Sequence, residues 1–287
     1  MKITKVGIIT KTISPHAEET MSILVPWLRQ RGISVRIQDE YKHLACEQVV
    51  AVPRSEVLVG TQVALSLGGD GTFLSTARLV GDTDQPILGV NLGFLGFLTE
   101  LSLDEIYDYL GRILDGEYEI EERVRLEAHH LKNGEVVGSY QALNDVVIHK
   151  GTLARIIDLE TFIDGEKITN HRADGLIIST PTGSTGYSLA AGGPILEPAL
   201  DAMVITPICP HPLTDRPLVV LPDRRIEVHL VSDSGEVYLT LDGQKGVALQ
   251  RGDRIQVHLS LTPVRLIRAG VRSFYEVLST KLQWGQR

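Results

Sequence analysis

Apolar positions along the first 118 residues follow two alternating rhythms, short continuous runs and spaced helical stripes. Ile3 to Ile9, Ile33 to Ile37, Val57 to Val59, Val63 to Leu67 and Ile87 to Val90 have the length and aliphatic content of buried strands. Between the first two runs, Met21, Leu24, Val25 and Leu28 recur at helical spacing up to Gly32. They follow a Ser14-Pro15 pair that reads as an N-cap with proline at the first helical position. Pro26 falls inside that stripe, where the missing N–H and the ring clash cost ~3 kcal/mol, so a kink or a restart is expected. Thr72 to Leu79 predicts a second helix, closed by Gly81. Ser102-Leu103-Asp104-Glu105 has the form of a capping box, Leu101 and Ile106 are placed for a hydrophobic staple, and Ile106, Leu110 and Ile113 continue one apolar face. Strands that alternate with helices imply a largely parallel sheet.

Beyond about residue 118 the period changes to two. Val124, Leu126 and Ala128 alternate with polar residues, and Asn133-Gly134, Asp164-Gly165, Ser234-Gly235, Asp242-Gly243 and Gly252-Asp253 punctuate short strands. The pattern predicts an α/β N-terminal domain with a mostly parallel sheet over residues 1–118, and an all-β, sandwich-like C-terminal domain over 119–271. The last stretch, 272–287, is expected to return to the first domain as a strand or a helix.

Composition narrows the function. Of 287 residues, 43% are apolar and 22% charged, as in a globular protein with aliphatic cores, and the net charge of −8 argues against broad contact with nucleic-acid phosphates or an anionic membrane. A phosphate-bearing ligand must then be held locally. No window reaches the ~20 apolar residues of a membrane span, and the start turns directly into a strand pattern, so a cytoplasmic protein is expected. Cys46 and Cys209 are too few and too far apart for a disulfide framework or a zinc site, and are expected to be reduced thiols. The histidines show no metal-ligand spacing such as HExxH, so no resident structural metal is expected, and His211, between two prolines, reads as a structural histidine.

Three glycine-rich segments carry the candidate chemistry. Leu67-Gly68-Gly69-Asp70-Gly71-Thr72 lies between a strand and a helix, where glycines let backbone approach an anion and the helix start presents N–H groups to it. Asp70 is out of place in a pure phosphate cradle. It suits a proton acceptor, a metal ligand or a ribose clamp, and the same residues also suit a tight turn. Asn91 to Leu98 is a second cluster at a strand end, and in an open α/β sheet ligands sit beyond the carboxyl ends of the strands. The third runs from Asp174 through Thr182-Gly183-Ser184-Thr185-Gly186-Tyr187 to Pro194, a loop dense in hydroxyls with one aromatic, fit for ribose or phosphate oxygens and a base. The patterns GxGxxG, GxxxxGK[ST] and GxSxG are absent, which removes support for Rossmann, P-loop and α/β-hydrolase readings.

On Gly68-Gly69-Asp70-Gly71, Asn144-Asp145-Val146-Val147-Ile148 and Asp174-Gly175 through Thr182 to Tyr187, the chain resembles the bacterial NAD kinases. The resemblance extends over nearly the whole chain, taking in Asn91 to Leu98, Thr206 to His211 and Asp242-Gly243-Gln244. Asp145 stands where the family often has Glu, and Gly186 where it often has Ala. The resemblance implies a fold like that of NAD and diacylglycerol kinases, and ATP-dependent phosphorylation of the adenosine 2′-hydroxyl of NAD to give NADP. Asp70 would be the catalytic proton acceptor, and Gly68, Gly69, Gly71 and Thr72 the phosphate loop. Substrate contacts would come from Asp70, Gly71, Asn144, Asp145, Arg155, Arg172, Asp174, Thr182, Thr185, Gly186, Tyr187, Ser188, Leu189, Ala190 and Gln244. Mg²⁺ would arrive with ATP, and a homodimer or homotetramer is implied. The rival readings are a lipid kinase that shares the GGDG loop, and a dinucleotide sensor without catalysis.

Overall fold

Continuous aliphatic runs bury both faces of a strand, and the first sheet is built from them. The computed structural model describes all residues except 1, 12–14, 94–95, 100, 153–154, 234 and 285–287. The expected Ser14 cap, Phe94 and Leu95 of the second glycine cluster, and Ser234 therefore lie outside the described residues. The chain divides into two units, Met1–Glu122 with Val264–Arg287, and Arg123–Pro263.

In the first unit, β1 (Lys5–Thr10), β2 (Ser34–Gln38), β3 (Val49–Val52), β4 (Val63–Leu67) and β5 (Ile87–Asn91) lie parallel in the order β3-β2-β1-β4-β5. The short β6 (Leu101–Ser102) pairs with β5, and β7 (Glu119–Arg123) with the last strand of the chain, β20 (Val264–Arg268), completes the sheet beside β5. Three helices follow in chain order, α1 (Pro15–Gln30), α2 (Asp70–Val80) and α3 (Ile106–Leu114). Met21, Leu24, Val25 and Leu28 of α1 and Ile106, Leu110 and Ile113 of α3 enter one core with Val6, Ile8, Leu65 and Val90 of the sheet.

Four local expectations change. Helix α1 runs unbroken through Pro26: Leu24, Val25 and Leu28 are essentially fully buried around it, and at ~1.5–3 kcal/mol each they outweigh the ~3 kcal/mol the proline costs. Val57 to Val59 is a turn rather than a strand, in which Val57 and Leu58 plug the space beside Gly7. Patterning missed the two-residue β6 and also β3, whose half-exposed edge position blurs its period. The Ser102–Glu105 pair is not a capping box, because the Ser102 hydroxyl donates to Glu105 (2.7 Å) instead of accepting from the helix, and α3 starts only at Ile106. A complete capping box occurs at Ser273 and Glu276, opening α5 (Phe274–Leu282), which follows the short α4 (Tyr187–Ala190) of the second unit. The chain thus re-enters the first unit with β20 at Val264, ahead of residue 272.

The second unit stacks two six-stranded antiparallel sheets. One contains β10 (Asp145–Lys150), β13 (Gly175–Ser179), β14 (Met203–Ile208), β15 (Leu218–Val220), β17 (Val237–Leu241) and β18 (Lys245–Leu249), in the order β15-β14-β13-β10-β17-β18. The other contains β8 (Leu126–Lys132), β9 (Glu135–Ala142), β11 (Ile157–Ile163), β12 (Glu166–Ala173), β16 (Ile226–Leu230) and β19 (Arg254–Leu259), in the order β12-β11-β16-β19-β8-β9. Alternate residues such as Leu126, Ala128, Val146, Ile148, Val228, Leu239 and Val257 meet in the core between them. The alternation starts at Leu126: Val124 is only partly buried, while Arg123 and Arg125 are buried beside it. Asn133-Gly134, Asp164-Gly165 and Asp242-Gly243 have positive φ at both residues and close hairpins, whereas Gly252-Asp253 carries the chain from one sheet to the other. Among the described residues no helix is long and apolar enough to cross a membrane.

Candidate active site

Strands β4 and β5 are neighbours and parallel, so the first two glycine clusters leave the sheet at one carboxyl edge. That edge adjoins β1, where the strand order reverses, the usual ligand position in such sheets. Helix α2 begins at Asp70, two residues before the expected start, with Gly69 as its N-cap and the Thr72 and Phe73 N–H groups turning back to Gly69 O. A Cβ on Gly69 would meet nothing within 4 Å, so the backbone is open to a ligand there. Gly68 turns the chain with φ +155° over Thr72, while Gly71 is exposed in the first helical turn.

The second cluster holds the first. The Asp70 carboxylate accepts the Phe97 N–H (2.9 Å) on one oxygen and the Leu98 N–H (3.0 Å) on the other. Gly96 lies against it so closely that a Cβ would sit 2.0 Å from Asp70 Oδ1, and its own N–H donates to Thr99 Oγ1 (3.1 Å). Each carboxylate oxygen keeps a lone pair, so Asp70 is oriented without losing its capacity to accept a proton.

In the second unit the predicted residues gather along β13. Asn144 and Asp145 open β10 opposite Ser179 at the end of β13, and Asp174 precedes the start of β13. The five residues of β13 span about 17 Å, a reach suited to an extended ligand. Asp242, read from sequence as part of a turn, organises one end: its carboxylate accepts the N–H groups of Leu143 (3.3 Å), Asn144 (2.8 Å) and Asp145 (3.3 Å). Burial, reinforced by the charge of Asp242, raises the Asp145 carboxyl to about 7. Among the described residues, Asn144 Oδ1 and Ser179 Oγ are buried without a hydrogen-bond partner, an unmet demand of the kind a ligand satisfies. At the other end Asp174 pairs with Lys150 (3.0 Å). Tyr187, 47% exposed at the start of α4 (Tyr187–Ala190), has its phenol pushed up by partial burial and by Cys209, Asp145 and Asp174, so these groups share one electrostatic neighbourhood.

The loop between β13 and α4 is held from within. Thr180 Oγ1 donates to Leu143 O (2.6 Å) and accepts the Gly183 N–H (3.0 Å), while a Cβ on Gly183 would lie 2.0 Å from Asn144 O. Thr182 is buried and accepts from Arg123 (3.3 Å), and Ser188 is fully buried against Thr206 Oγ1 (2.9 Å), so these two hydroxyls brace the loop. Gly186 is exposed, and a Cβ there would lie 3.3 Å from Gly183 O and 3.7 Å from Asn144 Nδ2. Thr185 and Leu189 are half-buried and Ala190 is exposed. Gln244 is exposed in the β17–β18 hairpin. Arg155 and Arg172 are exposed, with no ion-pair partner among the described residues, which leaves their charge available to an anion. His211 donates its backbone N–H to Arg172 O (2.8 Å), and both cysteines are free and exposed.

Comparison with known proteins identifies the family. The ATP-NAD kinase N-terminal domain matches residues 6–118 and the ATP-NAD kinase C-terminal domain residues 143–269. A NAD kinase from Geotalea daltonii is 49% identical over 284 residues, 99% of each chain. Yeast NADH kinase complexed with NADH superposes with a TM-score of 0.91 at 27% identity, covering 100% of this chain and 89% of that one. An NAD kinase from Archaeoglobus fulgidus in complex with ATP gives a TM-score of 0.75 at 26% identity, covering 97% of this chain and 98% of that one. On sequence, fold and the residues gathered along these two edges, the chain belongs to the ATP-NAD kinase family.

Proposed function

We propose that the protein transfers the terminal phosphoryl group of ATP to the 2′-hydroxyl of the adenosine ribose of NAD, giving NADP and ADP. The observation that carries this reading is Asp70, a carboxylate fixed by two backbone N–H groups at the start of α2 within a glycine turn. As the 2′-oxygen bonds to the terminal phosphorus and the bridging bond to ADP breaks, the hydroxyl proton passes to Asp70. Phosphoryl transfer depends mainly on positioning and charge neutralisation, and the open backbone at Gly69 and the exposed Gly71 at the start of α2, on a turn formed by Gly68 packed against Thr72, supply the first. Asn144, Asp145, Asp174 and the Thr185 to Ala190 segment hold the dinucleotide, with Thr182 and Ser188 bracing that segment, Arg155 and Arg172 as cationic contacts and Gln244 at the rim.

Kinases of this family generally use a divalent cation. Among the described residues the glycine edge offers the Asp70 carboxylate, which suits Mg²⁺, an ion that keeps water and phosphate oxygens as most of its ligands. Bound with ATP, it would neutralise charge on the phosphates. A homodimer or homotetramer in the cytoplasm, without nucleic-acid or membrane partners, completes the reading.

The test is NADP formation from NAD, ATP and Mg²⁺ by the purified protein, read with an NADP-specific dehydrogenase. Asp70→Asn is expected to lower turnover ~10²–10⁴-fold while NAD still binds. Turnover near wild type in that variant would remove Asp70 from its role, and no NADP from a folded protein that binds NAD would favour the sensor.

A further inference from the structure

We propose that Glu127, His129 and His258 form a site for a divalent cation of the Zn²⁺ class on the outer face of the β12-β11-β16-β19-β8-β9 sheet. In the β8–β19 register His258 lies opposite Glu127 and Gln256 opposite His129, while their neighbours Ala128 and Val257 face the core. Alternation therefore presents Glu127, His129, Gln256 and His258 together on the outer surface. His129 Nε2 is 3.3 Å from Glu127 Oε1, His258 Nε2 is 3.8 Å from Glu127 Oε2, and one ligand atom from each of the three residues lies within 4.8 Å of the others. Ligand atoms bound tetrahedrally at ~2.0–2.1 Å stand about 3.3 Å apart, so the first pair already has the required separation and the others need only small side-chain rotations.

The donor set chooses the ion. Two imidazoles and one carboxylate suit Zn²⁺ and its first-row neighbours and disfavour Mg²⁺ and Ca²⁺, which take oxygen ligands. His129 Nδ1 meets Ser139 Oγ at 3.0 Å, the kind of outer contact that fixes a ligating ring and turns its other nitrogen toward the ion. His258 makes no hydrogen bond with either ring nitrogen among the described residues, and its Nδ1 is buried. A cation at Nε2 gives this imidazole a partner. His258 also lines a cavity of about 620 Å³ together with Arg224, Arg225 and Glu227, so a fourth ligand from solvent can reach the ion. Glu127-x-His129 is the spacing that puts two ligands on one face of a strand, as i, i+4 spacing does on a helix.

The site is tested on the full chain stripped of metal with a chelator, titrated with Zn²⁺ by calorimetry and with Co²⁺ by visible absorption. One equivalent is expected to bind in the micromolar range, with the intense Co²⁺ bands of a four-coordinate site, and equimolar Mg²⁺ is not expected to displace it. His129→Ala and His258→Ala are each expected to weaken binding ~100-fold or more, with Gln256→Ala close to wild type and unchanged thermal melts showing that all are folded. Should either histidine variant unfold, Glu127→Gln gives the same reading without loss of packing. Millimolar binding only, or binding unchanged in folded His129→Ala, His258→Ala or Glu127→Gln, would overturn the proposal.

Discussion

Asp70 and Asp145 are both aspartates at the end of a buried strand region, yet the fold treats them in opposite ways. Asp70 is partly exposed in the first unit and receives two backbone N–H bonds, one on each carboxylate oxygen, which fix its orientation. Asp145 in the second unit is buried beside Asp242, and Asp242 takes the local N–H groups for itself. One carboxylate is held in place by backbone donors, and the other is pushed toward its neutral form by burial and the charge of Asp242. Backbone donors thus fix the direction of one carboxylate, while burial beside a second carboxylate changes the protonation of the other.

The largest effect is expected where the provision for Asp70 is tightest. Gly96→Ala puts a Cβ against Asp70 Oδ1, so kcat should fall ~100-fold while the affinity for NAD measured by fluorescence quenching changes little. Equal loss in both would mean that the loop serves binding as well as Asp70. Asp145→Asn probes the other side. The folded carboxyl holds its proton to about 7 and the unfolded one releases it near 3.8, so in this window the folded state binds more protons and wild-type stability falls as pH rises. The asparagine variant lacks that fall, and its melting temperature relative to wild type should rise from pH 4 to pH 7, by the equivalent of ~2–4 kcal/mol, then level off. Parallel curves would show Asp145 to be ordinary.

A smaller effect tests whether a well-paired carboxylate matters away from these edges. Glu105 is lowered to about 2, first by its hydrogen bonds from Arg272 (2.6 and 3.2 Å), so its contribution is present above the unfolded carboxyl value of 4.5 and is lost as pH falls through about 2. Arg272→Ala should cost about 1 kcal/mol in urea denaturation at pH 7, given the partial exposure of the pair, with the difference vanishing near pH 2 and turnover unaffected. Smallest of all, Gly69→Ala has open space for its Cβ and should stay within about 0.5 kcal/mol of wild type in stability, with any loss confined to the KM for ATP.

Periodicity made the two-unit plan, the buried strands and the Asx-Gly hairpins legible, because burial on two faces or one leaves a direct imprint on residue order. Three motifs together were enough to reach the family. The support for Asp70 was not legible, since Phe97 and Leu98 supply it through backbone N–H groups that every residue other than proline carries. Asp242 was quoted as half of a turn, and only its position after β17 reveals that it gathers three N–H groups at the start of β10. Ser102 and Glu105 match a capping pattern in sequence, but Arg272, far along the chain, takes the carboxylate into another role.

Strand β20 joins a sheet whose other members precede the entire second unit, pairing Leu266 with Ile87 of β5. On a ribosome, all strands of the second unit have emerged before β20 does, so that unit can finish folding while the first still carries an unfilled sheet position beside β5. Until the last residues leave the exit tunnel, that aliphatic strand is the exposed edge most open to pairing with another nascent chain. Synthesis of the C-terminal segment therefore acts as the seal on the N-terminal unit, and a truncation before Val264 should yield aggregation rather than a smaller folded protein.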